Sequence, residues 1–182
     1  MNPFRSIARP LRRLTRARDG IAATEFALIA PILLSLYFGV TELTDGLICD
    51  TKVTRMASTA ADLVAQDNQI TNAEMADVMT ALNSIMFPYP AASTQIRISS
   101  LIDAGNGQVK VAWSDAQNTT PRAVDSFVTV PQGLVSSGGS IIFAEIKHFY
   151  TSPAGELIYG TIELNDQFYV RPRRVLQVAR VP

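Results

Sequence analysis

From Phe26 to Thr41 the chain runs for sixteen residues without a formal charge. With Ile21 to Glu25 in front, the apolar stretch covers about 21 residues, or roughly 31 Å of helix at about 1.5 Å per residue. That is the thickness of one bilayer core, and the pattern predicts a transmembrane helix over residues 21–41. Pro31 lies inside it, where its ring removes a backbone donor and predicts a local kink that a membrane helix tolerates. Beyond Gly39 the period of the helix persists: Leu43, Leu47, Ile48, Val53, Met56, Ala57, Ala60, Leu63 and Val64 recur at three- and four-residue steps. Unbroken from Ile21 to about Gln66, such a helix would be about 68 Å long. The continuation reads as an amphipathic spine packed on the rest of the chain, with a coiled-coil partner as the alternative for residues 43–64.

A second helix starts at Thr71-Asn72-Ala73-Glu74, a capping box in which threonine and glutamate satisfy each other's backbone amides. Met75, Val78, Met79, Leu82, Ile85 and Met86 form its apolar stripe, and Phe87-Pro88-Tyr89-Pro90 ends it. The stripe reads as core, with a partner groove as the alternative. From Thr94 the period changes to two. Ile96, Ile98 and Ser100 alternate with Arg97 and Ser99, a turn follows at Asp103-Ala104-Gly105-Asn106-Gly107, and Val109, Val111 and Trp113 share one side of the return strand. Residues 115–140 are polar, with a short strand or helix expected around Val124–Val130. Ile141 to Tyr150 carries apolar groups on both faces and predicts a central strand packed on a helix. Thr151 to Glu156 is a connection, and a last strand runs from about Tyr159 to Val170. The fold class is therefore α+β: a long N-terminal transmembrane helix extended as an amphipathic spine, a second helix, and a small, mainly antiparallel sheet.

Charge changes this picture in one respect. The 182 residues sum to a net charge of zero, but residues 1–20 hold six arginines against Asp19, and the remaining 162 hold ten basic against fifteen acidic side chains, so +5 is opposed by −5. Under the positive-inside rule the basic leader stays cytoplasmic and the body, residues 42–182, is translocated. Six arginines beside a membrane span are accounted for by topology, and nucleic-acid binding is not expected. A cleavable secretory signal is the closer rival, but the apolar stretch is long and no Ala-x-Ala site closes it. Cys49 is the only cysteine, so no internal disulfide is available. It reads as a small buried helix residue, with intermolecular pairing as the alternative.

The candidate chemistry lies at the head of the apolar run. Glu25 is the fifth residue after Gly20 and is followed by Phe26. A carboxylate within a membrane segment costs about 2.5–3.5 kcal/mol at the bilayer centre and less near the interface, so it needs a partner or a purpose. The basic leader and the run Gly-Ile-Ala-Ala-Thr-Glu-Phe-Ala-Leu-Ile-Ala-Pro, residues 20–31, resemble the TadE-like minor pilins, or pseudopilins, of the tight-adherence (Flp) type IV pilus system. The tail Arg171-Pro172-Arg173 resembles the Arg-Pro-Arg element with which many TadE-like chains close their domain. The resemblance implies cleavage at Gly20–Ile21 by a prepilin peptidase and assembly through Glu25 and Phe26, the glutamate meeting a neighbour's new N-terminal amine. It also implies partners: the peptidase, other pilin and minor pilin subunits, the inner-membrane assembly machinery and membrane lipid. The expected place is the inner membrane, single-pass, with the head periplasmic or carried into a pilus.

The sequence holds no phosphate-binding glycine loop, no His-Glu-x-x-His pair and no Gly-x-Ser-x-Gly elbow. Neither catalysis, a metal nor a cofactor is expected. With one cysteine and one histidine, His148, far apart in sequence, a nucleophile and base pair has no support. Asp103 and Asp115 read as turn carboxylates. The three tail arginines are left three roles: clasping a body carboxylate, touching lipid headgroups or meeting the next subunit. The alternative function is an uncleaved, membrane-anchored periplasmic binding or scaffold module.

Overall fold

The computed structural model describes residues 19–105, 107–152 and 160–182. The basic leader up to residue 18, Asn106 of the expected turn, and residues 153–159, with the expected start of the last strand at Tyr159, lie outside the described residues. The chain divides into two compact units, Met1–Leu43 and Thr44–Pro182.

Helix α1 spans Asp19–Ala65, 47 residues assigned without a break through Pro31. In the first unit it carries only apolar and small side chains between Phe26 and Thr41. It is long and apolar enough to cross a membrane once, and no part of its apolar window is buried. Three hydroxyls there fold back on the helix: Thr24 Oγ1 donates to the Ile21 carbonyl, Ser35 Oγ to that of Pro31 and Thr41 Oγ1 to that of Phe38, each at 2.8 Å. Polar side chains satisfied in this way lose much of their cost in a hydrocarbon environment.

In the second unit α1 becomes a core helix. Cys49, Val53, Met56, Ala57, Ala60, Ala61, Val64 and Ala65 are fully buried, so the spine packs on its own chain from Cys49 onward. Leu43, Leu47 and Ile48, expected in the same stripe, stay exposed. Short strand β1 (Gln69–Ile70) leads into α2 (Asn72–Met86), whose Thr71 and Glu74 form the capping box in both directions. Met75, Leu82 and Met86 are buried and Val78, Met79 and Ile85 pack beside them, so the methionine stripe is core. The last turn of α2 has no basic residue of its own. Lys52 of α1 supplies the cation, donating to the Ile85 and Phe87 carbonyls at 2.8 and 2.9 Å.

Five strands form one antiparallel sheet in the order β4-β3-β2-β5-β6: β2 (Thr94–Gly105), β3 (Gln108–Gln117), β4 (Phe127–Val128), β5 (Ser140–Tyr150) and β6 (Ile162–Val170). Glycines at both ends of the β2–β3 turn, Gly105 and Gly107, take φ of 85° and 74°, which a side chain would resist. One face of the sheet meets the helices through Ile96, Ile98, Trp113, Ile142, Ala144 and Ile146. The other buries Leu101, Val109, Val111, Ile141 and Phe143 beneath Val128, Val130, Leu134 and Val135. The shared face expected for Val109, Val111 and Trp113 is thus divided. Ser100 pairs with Trp113 but Leu101 pairs with Val111, a bulge in which Ala112 is the extra residue and the alternation flips. The polar 118–139 segment is a roof for the outer face, with four apolar anchors spaced through it.

Among the described residues the last strand runs Ile162–Val170. Two short elements have no counterpart in the pattern: β1 and β7 (Ala179–Arg180) pair in parallel as a separate two-stranded sheet. Two residues are too few for a periodicity to show.

Candidate functional site

The Gly20–Phe26 stretch is the first turns of α1. Gly20, Ile21, Glu25 and Phe26 are all exposed, Phe26 by 68%. A Cβ added at Gly20 would meet nothing within 4 Å, and the residue is helical without a positive φ. The fold therefore gives no steric or conformational reason for glycine at this position, and alanine would serve the helix better. Ile21 and Glu25 stand four residues apart, on the same side of the helix. Next to them Leu28, Ile29, Ile32 and Leu33 are each at least half exposed, so the carboxylate sits at one end of a continuous apolar surface.

The tail motif is tied into the second unit. Arg171 donates from Nε to the Leu134 carbonyl at 3.0 Å and from Nη2 to that of Gly133 at 3.1 Å, holding down the roof segment. Pro172 is half-buried between the two arginines. The Arg173 backbone N–H caps the end of α1 on the Ala65 carbonyl at 3.0 Å, and its guanidinium pairs with Asp62 one turn earlier. Of the three roles left open for these arginines, the described contacts contain the clasp on a body carboxylate.

After the motif the chain continues as a strap along residues 65–70. Ala179 N–H donates to Asn68, Val181 N–H to Ile70, and buried Trp113 donates from Nε1 to the Val178 carbonyl at 2.8 Å. Arg180 closes the strap with two bonds to Asp115, from Nε at 2.8 Å and Nη2 at 3.2 Å, and one to Asn72. Asp115 is thus a strand residue with an ion-pair partner, not a turn carboxylate, because the hairpin strand runs on to Gln117. Asp103, near the end of β2, is local only in part: its carboxylate accepts the nearby Gly105 amide but also the distant Gly138 amide, and both hold it below the usual carboxylate range.

The fold brings Cys49 and His148 to the same aromatic neighbourhood around Tyr89. Tyr89 meets His148 edge-on at 6.1 Å and Tyr150 at 5.9 Å, and its hydroxyl donates to the Asp45 carbonyl at 3.0 Å. His148 is buried with Nδ1 at 2.8 Å from Thr94 Oγ1, and burial lowers its pKa. Burial, with the Asp50 charge adding to it, pushes the Cys49 thiol up to about 11. A thiol held protonated in this way is a poor nucleophile at neutral pH. Among the described residues no three His, Cys, Asp or Glu side chains come together as a metal site.

The sequence reading missed Glu145, which is clamped by Arg122 through two bonds of 2.9 and 2.8 Å and approached by Arg97 at 3.5 Å. Its partners come from β2 and the roof segment, and no local signal links the three.

No curated protein and no solved structure matches the chain. Residues 20–62 match the family model described as TadE-like protein, a span that begins at the exposed glycine and ends within the buried part of α1. Over this N-terminal spine, and there alone among the comparisons, the chain is similar to the TadE-like family.

Proposed function

We propose that this protein is a minor pilin-like (pseudopilin) subunit of a tight-adherence type IV pilus. In this reading it is inserted with its N-terminus in the cytoplasm, cut after Gly20 by a prepilin peptidase of the inner membrane, and assembled through α1. The head, from about residue 42, then faces the periplasm or is carried into the filament. The chain is the substrate of an enzyme rather than an enzyme. One observation carries the reading: a carboxylate and a glycine that the fold itself does not require stand five residues apart at the start of a bare apolar helix in a TadE-like segment. A carboxylate entering lipid becomes tolerable when a cation meets it, and the amine freed at Ile21 of a neighbouring subunit is such a cation. Glycine suits the cleft of a protease because its backbone extends freely and offers no side chain to clash.

The test is the N-terminal sequence and intact mass of membrane-extracted protein from cells with and without the peptidase. A start at Ile21 only when the peptidase is present supports the reading. A start at Met1 in both strains refutes it and leaves an uncleaved, anchored periplasmic module. Gly20→Ala is expected to block the cut while leaving the head's melting temperature unchanged. Glu25→Ala is expected to be inserted and cut normally but to lower pilus yield, and normal piliation would remove the subunit-contact role.

A further inference from the structure

The outer face of the sheet is only partly roofed. Beside the Glu145 clamp it opens into a cleft of about 350 Å³ whose lining is polar except for Ile146. The strand register sets six of its side chains in two cross-strand rows, Gln95-Lys147-Asn165 and Arg97-Glu145-Gln167. The rows are two residues apart along the strands, about 7 Å, and each crosses three strands, about 10 Å. The floor therefore carries amides, a carboxylate, an ammonium and a guanidinium in two rows, with Thr119 also lining the cleft.

The charges of this floor cancel internally. Glu145 is held by Arg122 and Arg97, and Lys147 Nζ pairs with Glu163 at 2.8 Å. The remaining lining carboxylate, Asp166, accepts the Gln167 backbone N–H, so an ion would have to break one of those pairs or that bond. The exposed amides of Asn165 and Gln167 are only partly used: Asn165 Nδ2 reaches Glu163 Oε1 at 3.5 Å and Gln167 Oε1 accepts from the Tyr169 hydroxyl at 3.1 Å, which leaves the Asn165 carbonyl oxygen and one of its N–H groups and both N–H groups of Gln167. A neutral ligand carrying adjacent hydroxyls suits these groups, one hydroxyl donating to the Asn165 oxygen and others accepting from the remaining N–H groups. Addition of a peptide strand along β6 is disfavoured, because the Gln167 N–H is taken by the Asp166 carboxylate at 2.7 Å, a charged guard on the sheet edge.

We infer that this cleft is a binding site for a neutral oligosaccharide, with Gln95, Asn165 and Gln167 contacting its hydroxyls and the Arg122–Glu145–Arg97 clamp keeping the floor rigid. The site is independent of whether the chain is cut after Gly20.

The experiment uses the full chain in lipid nanodiscs, free of glycosidic detergent, and reads saturation transfer by NMR to maltotetraose, cellotetraose and chitotetraose. Transfer to at least one of them is expected, weakened about tenfold or more in the Asn165→Ala/Gln167→Ala double variant, which removes two exposed hydrogen-bonding groups. Thr54→Ala, on the exposed side of α1, should leave it unchanged. Absence of transfer to all three sugars would overturn the inference. So would transfer that survives the double variant, or transfer only to a neutral Ser-Asn-Gly peptide.

Discussion

Trp113→Phe tests whether the C-terminal strap is a structural closure or a surface tail. Trp113, on the helix-facing side of β3, is almost fully buried, and its Nε1 reaches the carbonyl of Val178, a residue with no exposed surface. Phenylalanine keeps most of the ring packing but leaves that carbonyl without its donor. An unsatisfied buried acceptor costs about 1–3 kcal/mol, and the smaller ring gives up about 1 kcal/mol of buried apolar surface. The sum is about 2–4 kcal/mol, which for a domain of this size lowers the melting temperature by roughly 6–15 °C. The assay is thermal unfolding followed by far-UV circular dichroism, because Trp113 is the sole tryptophan and its fluorescence disappears with the substitution. Hydrogen exchange supplies the local readout. Ala179 and Val181 donate to Asn68 and Ile70 only while the strap is seated, so their amides should exchange faster in the variant. A shift below about 2 °C with both amides still protected would refute the reasoning and make the strap's other bonds sufficient.

Two pH-dependent outcomes follow from groups in the head. His148 faces Thr94 and Tyr89, and its pKa is lowered from 6.5 by burial. The unfolded chain therefore takes up a proton first: stability is present above pH 6.5 and declines as the pH falls from there toward the native value, by at most about 1.4 kcal/mol per unit. Equilibrium unfolding between about pH 7.5 and 5.5, one unit either side of a free imidazole, should show this slope, and His148→Gln should flatten it; an unchanged slope assigns the effect elsewhere. Cys49 has the opposite sign, since its thiol rises from 9.0 to about 11. Stability should fall as the pH rises between those values, Cys49→Ala should remove the first part of the loss, and maleimide should label the native thiol far more slowly than the unfolded one. Rapid native labelling would contradict its burial.

What could be read from the sequence divides along the range of the interactions. The capping box at Thr71 and Glu74 needs four consecutive residues and is found in full. The two-sided apolar pattern of β5 correctly placed it inside the sheet, between β2 and β6, because burial on both faces leaves no polar period. The Gly20-to-Glu25 spacing is equally local, and a bare helix neither alters nor tests it. Long-range features behaved differently. The hairpin was legible but its bulge was not, since Ala112 becomes the extra residue only through pairing with Ser100 and Leu101. Asp115 looked like a turn carboxylate because its partner, Arg180, lies at the far end of the chain.

The same division explains why the tail motif was ambiguous. Arg171, Pro172 and Arg173 in isolation fit a lipid surface, a neighbour or a clasp equally well. Arg173 is drawn to Asp62 because the strap first brings its backbone amide to the Ala65 carbonyl, three residues past Asp62 on the same helix. The pair is surface-exposed and adds little stability by itself. Its consequence is geometric: the end of α1, the start of β1 and the motif form one unit, so a subunit contact made by the membrane-distal end of α1 would be transmitted to the strap and, through Trp113, to the sheet. The family match stops at residue 62, where this coupling begins. The part of the spine that resembles the TadE-like model thus ends at the helix turn through which the tail motif and the sheet are joined to it.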